Sequence, residues 1–495
     1  MVLDILSSVF NPLTIELVLI ASFTGIIFGA LPGIGPTLAM ALLMPFTFKL
    51  GATDALIFLG CLFGSTIYGG SVSAILINAP GTPGSAATAL DGYAMAQQGR
   101  AGVALGIAAT ASALGGIVSM VVLMTVAPFL AMITLLFGPI DYFLLAIFGL
   151  SVIVVSSKGS VLKGFVMTGF GLMLAFVGMD LVYGVYRFSF GVTYLQDPID
   201  FVPVLIGLFG LSSALELGLK GGTVSQVAAK AEGMFEGVKE TLRHPKTLIR
   251  SILLGTGMGM MPGVGISAAN FIAYNVTVQT SKDPDSFGKG NPEGVLAPEA
   301  ANNAVEGGAL IPTFALGIPG SGSCAIMLAC MMMQGLEPGI RLFDRSGNIV
   351  YTAVVGIILG LIFTWVFGIL GSGWFAKVTV VKNEVLVPLI VLLCLTGTYS
   401  LRNNIGDMVA TAVFGFLGYL FKVKNYPTVP LILAMILGPL IEKNFLRAMI
   451  MSNGSLSIFY GSLTTIVLLI LVVFAWSWPV YENFKAKKTE AVANN

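Results

Sequence analysis

Charge is what this chain has least of. Of its 495 residues only 10% are Asp, Glu, Lys or Arg, against 56% apolar, whereas soluble domains carry about 25% charged residues. A chain so poor in charge has lipid as its solvent. The charges nearly cancel, leaving a formal net charge of +1, and without a long basic tract nothing holds a nucleic-acid backbone. Histidine is rarer still. The single His244 falls in a polar loop, which excludes a histidine-rich metal site and a Ser-His-Asp triad. The four cysteines, Cys61, Cys324, Cys330 and Cys394, stand apart in apolar surroundings, without the paired spacing of a metal site, and read as small packing side chains. No GxxxxGK[ST] loop is present: the one Gly-Lys pair, Gly288-Lys289, lacks the rest of it, so Walker-type nucleotide hydrolysis is excluded. The glycines of GTGMG (255–259) do not follow a strand, which argues against a dinucleotide fingerprint. The opening MVLDILSSVF has no basic n-region, so no cleaved signal peptide is expected.

What the chain has in abundance is apolar runs. GIVSMVVLMTVAPFLAMITLLF and LTTIVLLILVVFAWSW are long enough to cross about 30 Å of hydrocarbon at 1.5 Å per residue, and the mean hydropathy is +0.93. The expected fold is an all-α polytopic membrane protein of about 11–12 transmembrane spans plus an extra C-terminal helix. The runs also repeat. LPGIGPTLAMALLMPF (31–46) matches MPGVGISAANFIAYNV (261–276). GGSVSAILINAPGTPGSAA (69–87) matches GGALIPTFALGIPGSGSCA (307–325), and FVPVLIGLFGLSSALE (201–216) matches TVPLILAMILGPLIEK (428–443). Three matches in one order divide the chain into a first membrane repeat (1–218) and a second (251–447). A polar connector (219–250) separates them, and an extra helix (448–480) and a basic tail (481–495) follow.

Residues 220–250 of the connector hold six Lys/Arg against three Glu, with helical character around AAKAEGMFEGVKETL. Short basic segments stay in the cytoplasm, so the connector and the KAKK tail are both expected there. Parallel repeats would leave the tail outside. Inverted repeats let the extra helix carry it back in, and the acidic N-terminus then lies outside. Lys443 and Arg447 fall outside too, a mild mark against inversion. Inverted-topology repeats with broken, re-entrant helices are the expected arrangement. The stretch 248–276 is too long for one crossing and short for two.

Four backbone breaks fall at corresponding places: LPGIGP (31–36), APGTPGS (79–85), MPGVGIS (261–267) and IPGSGS (318–323). An unpaired backbone group in lipid costs several kcal/mol, so irregular backbone survives only inside protein or against a wet cavity. Proline removes a donor, glycine lets the chain turn and lets a ligand approach, and each restarted helix offers free N–H groups at a positive dipole end. One such break is an ordinary turn; four, paired between repeats, predict a binding site near the bilayer midplane. Thr82, Ser85, Ser321 and Ser323 sit where a hydroxyl either caps a helix or meets a ligand. Almost no Lys or Arg lies near these breaks, whereas Asn78, Asn270, Asn275, Asn302, Asn303 and Thr313 do. Such groups suit a multivalent anion with a charge-balancing cation, or a neutral solute. Glu306 could bind a coupling cation or carry a proton. Glu299 reads instead as a residue of the preceding polar loop that caps the next helix. Asp91 reads as a turn residue anchoring its hairpin, Asp141 and Asp180 as interfacial, and Met331 to Met333 as packing.

Two segments carry a family resemblance. YGGSVSAILINAPGTPGSAATALDGYAMAQQGRAGVAL (68–105) and SFGKGNPEGVLAPEAANNAVEGGALIPTFALGIPGSGSCAIML (286–328), with GLEPG (335–339) following, resemble the large membrane (permease) subunit of tripartite tricarboxylate transporters over almost the whole chain. The resemblance implies a bacterial inner-membrane protein driven by an ion gradient and not by ATP. It also implies two partners: a small membrane subunit, and a periplasmic solute-binding protein that delivers carboxylates such as citrate. The expectation is therefore a secondary transporter, not an enzyme, without cofactors and coupled to Na⁺ or H⁺. It would work by alternating access, with the bundle that carries the broken hairpins moving against a scaffold. The expected substrate site comprises Gly33, Gly35, Asn78, Gly81, Thr82 and Ser85 from the first repeat, and Gly263, Gly265, Ser267, Asn303, Gly320, Ser321 and Ser323 from the second. Asn270, Asn302 and Glu306 are the expected coupling-ion residues. The rival expectation is a passive anion or solute channel, which needs a continuous polar path and no gradient coupling.

Overall fold

A computed structural model describes residues 2–31, 34–156, 161–180, 184–220, 232–263, 265–378 and 383–477. Gly33, much of the connector (221–231) and the tail from 478 onward lie outside them. The first repeat opens with α1 (Val2–Val9), α2 (Pro12–Ala30), α3 (Pro36–Leu43) and α4 (Ala52–Ile77). A hairpin with α5 (Ala86–Gln97) follows, then α6 (Ala101–Met132), α7 (Pro139–Ser156) and α8 (Val161–Ala175). It closes with α9 (Phe201–Leu205) and α10 (Ser212–Lys220), joined by a π-helical turn, Ile206–Leu211. The connector supplies α11 (Met234–Arg243). The second repeat runs α12 (Pro245–Gly259), α13 (Gly265–Thr280), α14 (Pro292–Leu316), α15 (Gly322–Met333), α16 (Ile340–Val378), α17 (Asn383–Arg402), α18 (Ile405–Val423) and α19 (Val429–Met451). A two-stranded ribbon, with Gly178 opposite Arg187, is the β structure among the described residues.

The order of elements repeats. A helix, a break, a second helix, a long helix, a broken hairpin and a very long helix run from α2 to α6 and again from α12 to α16. The difficult stretch 248–276 resolves into two helices, one ending at Gly259 and the next starting at Gly265. There Gly263 (φ 85°) and Gly265 (φ 78°) take the left-handed conformation open to glycine. Proline at the first turn of α3 occupies a position whose N–H would be unpaired anyway.

This is a multi-pass membrane protein. Among the described residues eight helices are long and apolar enough to cross a bilayer, and four shorter apolar helices accompany them, the last being Leu463–Ser477. At 25 residues α14 is also long enough, but a stripe of acids and amides lowers its hydropathy.

The chain forms two compact units, one from Met1–Ala131 with Leu205–Tyr419 and the other from Met132–Val204 with Leu420–Asn495. Each unit draws on both repeats, so the units cut across the sequence halves. In the smaller unit α19 packs on α7 and α8. The extra helix joins them through Thr465 Oγ1, which donates to Asp141 at 2.7 Å, and Trp476 Nε1, which donates to Ser151 at 2.5 Å. In the larger unit α10 packs on α17. The third matched segment of each repeat thus rests on helices of the other.

The larger unit holds all four breaks. Its most extensively packed helix pairs are α2 with α4 and α12 with α14, and small residues let them approach. A Cβ on Gly29 would overlap the Thr66 carbonyl, and one on Gly308 the Thr256 carbonyl. The long helix of the second repeat, α16, packs on α2 and α4. In return α6 meets α14, where Gly115 lies against Ala300 and Gly307 against Ser119.

Candidate functional site

Each broken hairpin docks on its own repeat first. The Gly81 N–H donates to the Gly70 carbonyl at 3.1 Å, and a Cβ on Gly81 would overlap the Gly29 carbonyl oxygen. In the second repeat Gly320 accepts from the Gly263 N–H at 3.2 Å, and its Cβ direction faces Ala309 and Gly259. Gly29, Gly70 and Gly81 therefore have counterparts in Gly259, Gly308 and Gly320. These are close backbone approaches, which is why the two breaks of each repeat end up side by side.

The hairpins then cross over. The first hairpin meets α13: Asn270 Nδ2 donates to the Gly84 carbonyl at 2.9 Å. A Cβ on Gly84 would fall 2.6 Å from Asn302 Oδ1. The second hairpin meets α3, where Thr37 Oγ1 and Ser323 Oγ lie 3.0 Å apart. The same exchange recurs where the hairpin helices end. Gln98 Nε2 donates to the Lys289 carbonyl at 2.7 Å, and Gln334 Nε2 reaches the Thr47 and Leu50 carbonyls at 3.4 and 3.3 Å. The N-termini of α13 and the first hairpin form one pair, and those of α3 and α15 form another. Each pair takes one member from each repeat. Helix N-termini carry free donors and partial positive charge, so each pair is suited to an anion.

Asp91 locks the first crossover. Fully buried, it accepts from the Gly290 and Asn291 N–H groups at 2.8 Å each and from the Tyr274 hydroxyl at 2.8 Å. It is not a turn residue, contrary to the sequence expectation, but lies in the middle of α5, and it anchors the hairpin to the entry of α14 in the other repeat.

On α14, Glu299, Asn302, Asn303 and Glu306 recur at spacings of three, four and seven and share one face. All four are fully buried. Glu299 does not belong to the polar loop, contrary to the sequence expectation. Asn291 is the residue that caps α14, its side chain accepting from the Glu293 N–H, and Pro298 is tolerated within the helix. Glu299 instead gathers hydroxyls from three helices of the first repeat: Ser71 at 2.5 Å, Ser112 at 2.8 Å, and Thr88. Two turns on, Glu306 lies beside Gly64, and neither of its oxygens has a hydrogen-bond partner. Asn303 Nδ2 donates to the Gly64 carbonyl at 3.1 Å, leaving its Oδ1 unpaired, as are Asn270 Oδ1 and Asn302 Oδ1. Asn302 Nδ2 is the one unpaired donor among them. A buried set dominated by unpaired acceptor oxygens suits a proton or a hard, oxygen-preferring cation.

The hydroxyls at the breaks serve caps. Thr82 and Ser85 form a reciprocal capping box, and Ser321 accepts from the Cys324 N–H at 3.2 Å. Asn78 ends α4 in a left-handed conformation (φ 52°) and is exposed. Gly35 has open space around it, and Ser267 is half-buried in the first turn of α13. Gly33 is outside the described residues. Asp141 and Asp180 are both buried, Asp180 lying 3.5 Å from Arg187. Sequence reasoning passed over Thr37, Gly64, Gly84 and the serine and threonine partners of Glu299. The acid-amide stripe on α14 was the available signal, at helical spacing once Pro298 is allowed inside a helix.

Comparisons with known proteins give the chain its relatives. The profile described as the Tripartite tricarboxylate transporter TctA family matches residues 15–433. An Agrobacterium vitis protein described as an uncharacterized 52.8 kDa protein in the TAR-I ttuC' 3' region is 36% identical over 450 residues, covering 91% of this chain and 89% of that protein. A second A. vitis protein, from the TAR-II ttuC' 3' region, is 34% identical over 205 residues, covering 41% of this chain and 85% of its own length. No solved structure matches.

Proposed function

The chain belongs to the tripartite tricarboxylate transporter TctA family, and from that premise we propose that it imports citrate-like carboxylates as the permease of a secondary, binding-protein-dependent transporter in a bacterial inner membrane. Its repeats are inverted across the bilayer, and it works by alternating access. The observation that carries this reading is the exchange of hairpins, which pairs helix N-termini from the two repeats and sets one of these pairs, that of α13 and the first hairpin, against a buried row of acid and amide groups. Carboxylate oxygens take the backbone N–H groups left free in the first turns of the restarted helices, since those of Gly81 and Gly263 are already held by the Gly70 and Gly320 carbonyls. The substrate's negative charge needs balancing in a region almost without Lys or Arg, and the unpaired oxygens of Asn270, Asn302, Asn303 and Glu306 supply the place for the cation. An unpaired buried carboxylate is tolerated only with its charge neutralised, so Glu306 holds either Na⁺ or a proton. Glu299, with three hydroxyl partners, is the structural member of the row. The partners are a small membrane subunit and a periplasmic solute-binding protein.

The test is uptake of radiolabelled citrate into proteoliposomes containing this chain and its small subunit, with binding protein outside and an imposed Na⁺ or proton gradient. Saturable uptake that requires the binding protein and one of the gradients supports the proposal and names the ion, and Glu306→Gln is expected to abolish the gradient's effect. Uptake of another di- or monocarboxylate, but not citrate, changes the substrate and leaves the mechanism. Flux that neither saturates nor responds to either gradient refutes coupling and returns the channel reading.

A further inference from the structure

At the connector end of the larger unit a polar cleft of about 1120 Å³ opens between the start of α12, the end of α13 and the 281–291 loop. Beside it runs a second, apolar hollow of about 510 Å³ along α12, and the two share Lys246 and Arg250 as walls. The polar cleft is lined by five Lys/Arg residues and three carboxylates. Two of those carboxylates are engaged: Glu240 faces Arg243 and His244 at 2.9 and 3.2 Å, and Glu293 lies 3.4 Å from His244. No carboxylate among the described residues pairs with Lys246, Arg250, Lys282 or Lys289, which leaves four cations facing two acids, Asp283 and Glu293, the partner of Glu293 being a histidine that is charged only when protonated. The Arg250 guanidinium is held in place by Thr280 at 2.5 Å and Thr277 at 3.1 Å, and its Nε is buried without a partner.

We propose that this place binds an anionic phospholipid, its phosphate headgroup in the basic cleft and an acyl chain along α12. Lys246, Ile249, Arg250 and Leu253 share one helix face, so the surface changes from cationic to apolar within a single turn. Ile249 is 58% and Leu253 63% exposed. A free inorganic or carboxylate anion would use the cleft alone and have no need of the groove. A lipid uses both, and clusters of unpaired Lys/Arg at the end of a membrane helix attract anionic headgroups. Arg250, oriented by its two threonines, offers the phosphate a fixed fork.

The experiment uses the full-length protein in nanodiscs of phosphatidylcholine doped with phosphatidylglycerol or cardiolipin, with retained lipid counted by native mass spectrometry after release. The expected result is selective retention of the anionic lipid. Losing a surface cation lowers membrane-anion affinity about fivefold, so the Lys246→Gln/Lys282→Gln/Lys289→Gln variant, built on exposed side chains, is expected to lose nearly all selectivity. Ile249→Ser/Leu253→Ser is expected to lower retention while keeping the headgroup preference. Equal retention of phosphatidylcholine and phosphatidylglycerol overturns the proposal. So does displacement of the lipid by millimolar inorganic phosphate, which would mark a free-anion site. Crosslinking of Lys246 to the small subunit with no lipid retained overturns it in favour of a protein partner.

Discussion

Replacing Asp91 by alanine removes the lock between the first hairpin and the second repeat, and its cost follows from the contacts. Three donors converge on one carboxylate: the Gly290 and Asn291 N–H groups and the Tyr274 hydroxyl, each at 2.8 Å. A hydrogen bond to a charged group contributes about 1.5–3 kcal/mol, and a buried donor left without a partner costs about 1–3 kcal/mol. The three are coupled, and Asn291 is only part-buried, so the terms do not simply add. On the order of 3–5 kcal/mol is expected for Asp91→Ala, and about 1–2 kcal/mol for Asp91→Asn, which keeps an oxygen for the two N–H groups while the tyrosine hydroxyl turns to accept. In purified detergent-solubilised protein the alanine variant is expected to melt about 3–5 °C lower, with the asparagine variant between it and wild type. Tyr274→Phe in both backgrounds completes a double-mutant cycle, in which the tyrosine's contribution should vanish once Asp91 is gone. Gly294→Ala is an independent check, because its methyl group would run into the Asp91 carboxylate. Melting temperatures that are equal across wild type, Asp91→Ala and Asp91→Asn would refute the assignment of Asp91 as the lock.

Other outcomes follow from the same geometry. Gly29→Ala would place a methyl group on the Thr66 carbonyl and is expected to destabilise by about 1–3 kcal/mol or more, whereas Gly35→Ala meets nothing within 4 Å and should leave the melting temperature within about a degree. Thermal scans of the pair decide this; equal losses would refute the close α2–α4 approach. Gly84→Ala, which faces Asn270 and Asn302, is expected to reduce uptake more than it reduces thermal stability, measured side by side. Burial raises the Glu240 carboxyl, but its bonds to Arg243 and His244 outweigh that and hold it below the usual 4.5. Its contribution is therefore present above that pH and lost on acidification through the lowered value. Glu240→Gln should flatten the acid limb of the melting temperature measured against pH, and an unchanged acid limb would contradict the pairing.

The breaks of the site were legible residue by residue, because Pro and Gly act on the backbone locally. Pro36, Gly81, Gly263 and Gly320 interrupt helices for reasons contained in a few neighbouring residues. Glu299 was misread because Pro298 resembles a helix boundary when viewed alone. In α14 the missing proline donor is tolerated, and the helix starts earlier, at the Asn291 cap. Asn302, Asn303 and Glu306 were recognised as polar residues near the breaks, but their pairing with Gly64 and Gly84 was invisible, since those partners lie more than two hundred residues away in the chain.

By itself the sequence determined the solvent, the helices, their interruptions and the doubling of the pattern. Each of these rests on composition or on interactions within about one helical turn. Only the tertiary structure decided that each hairpin docks on the opposite repeat, that the compact units cut across the sequence halves, and that Glu299 is satisfied while Glu306 is not. Those outcomes depend on which glycines meet across a helix pair and which hydroxyls arrive beside a buried carboxylate. They are contacts between distant segments, which local propensity does not encode.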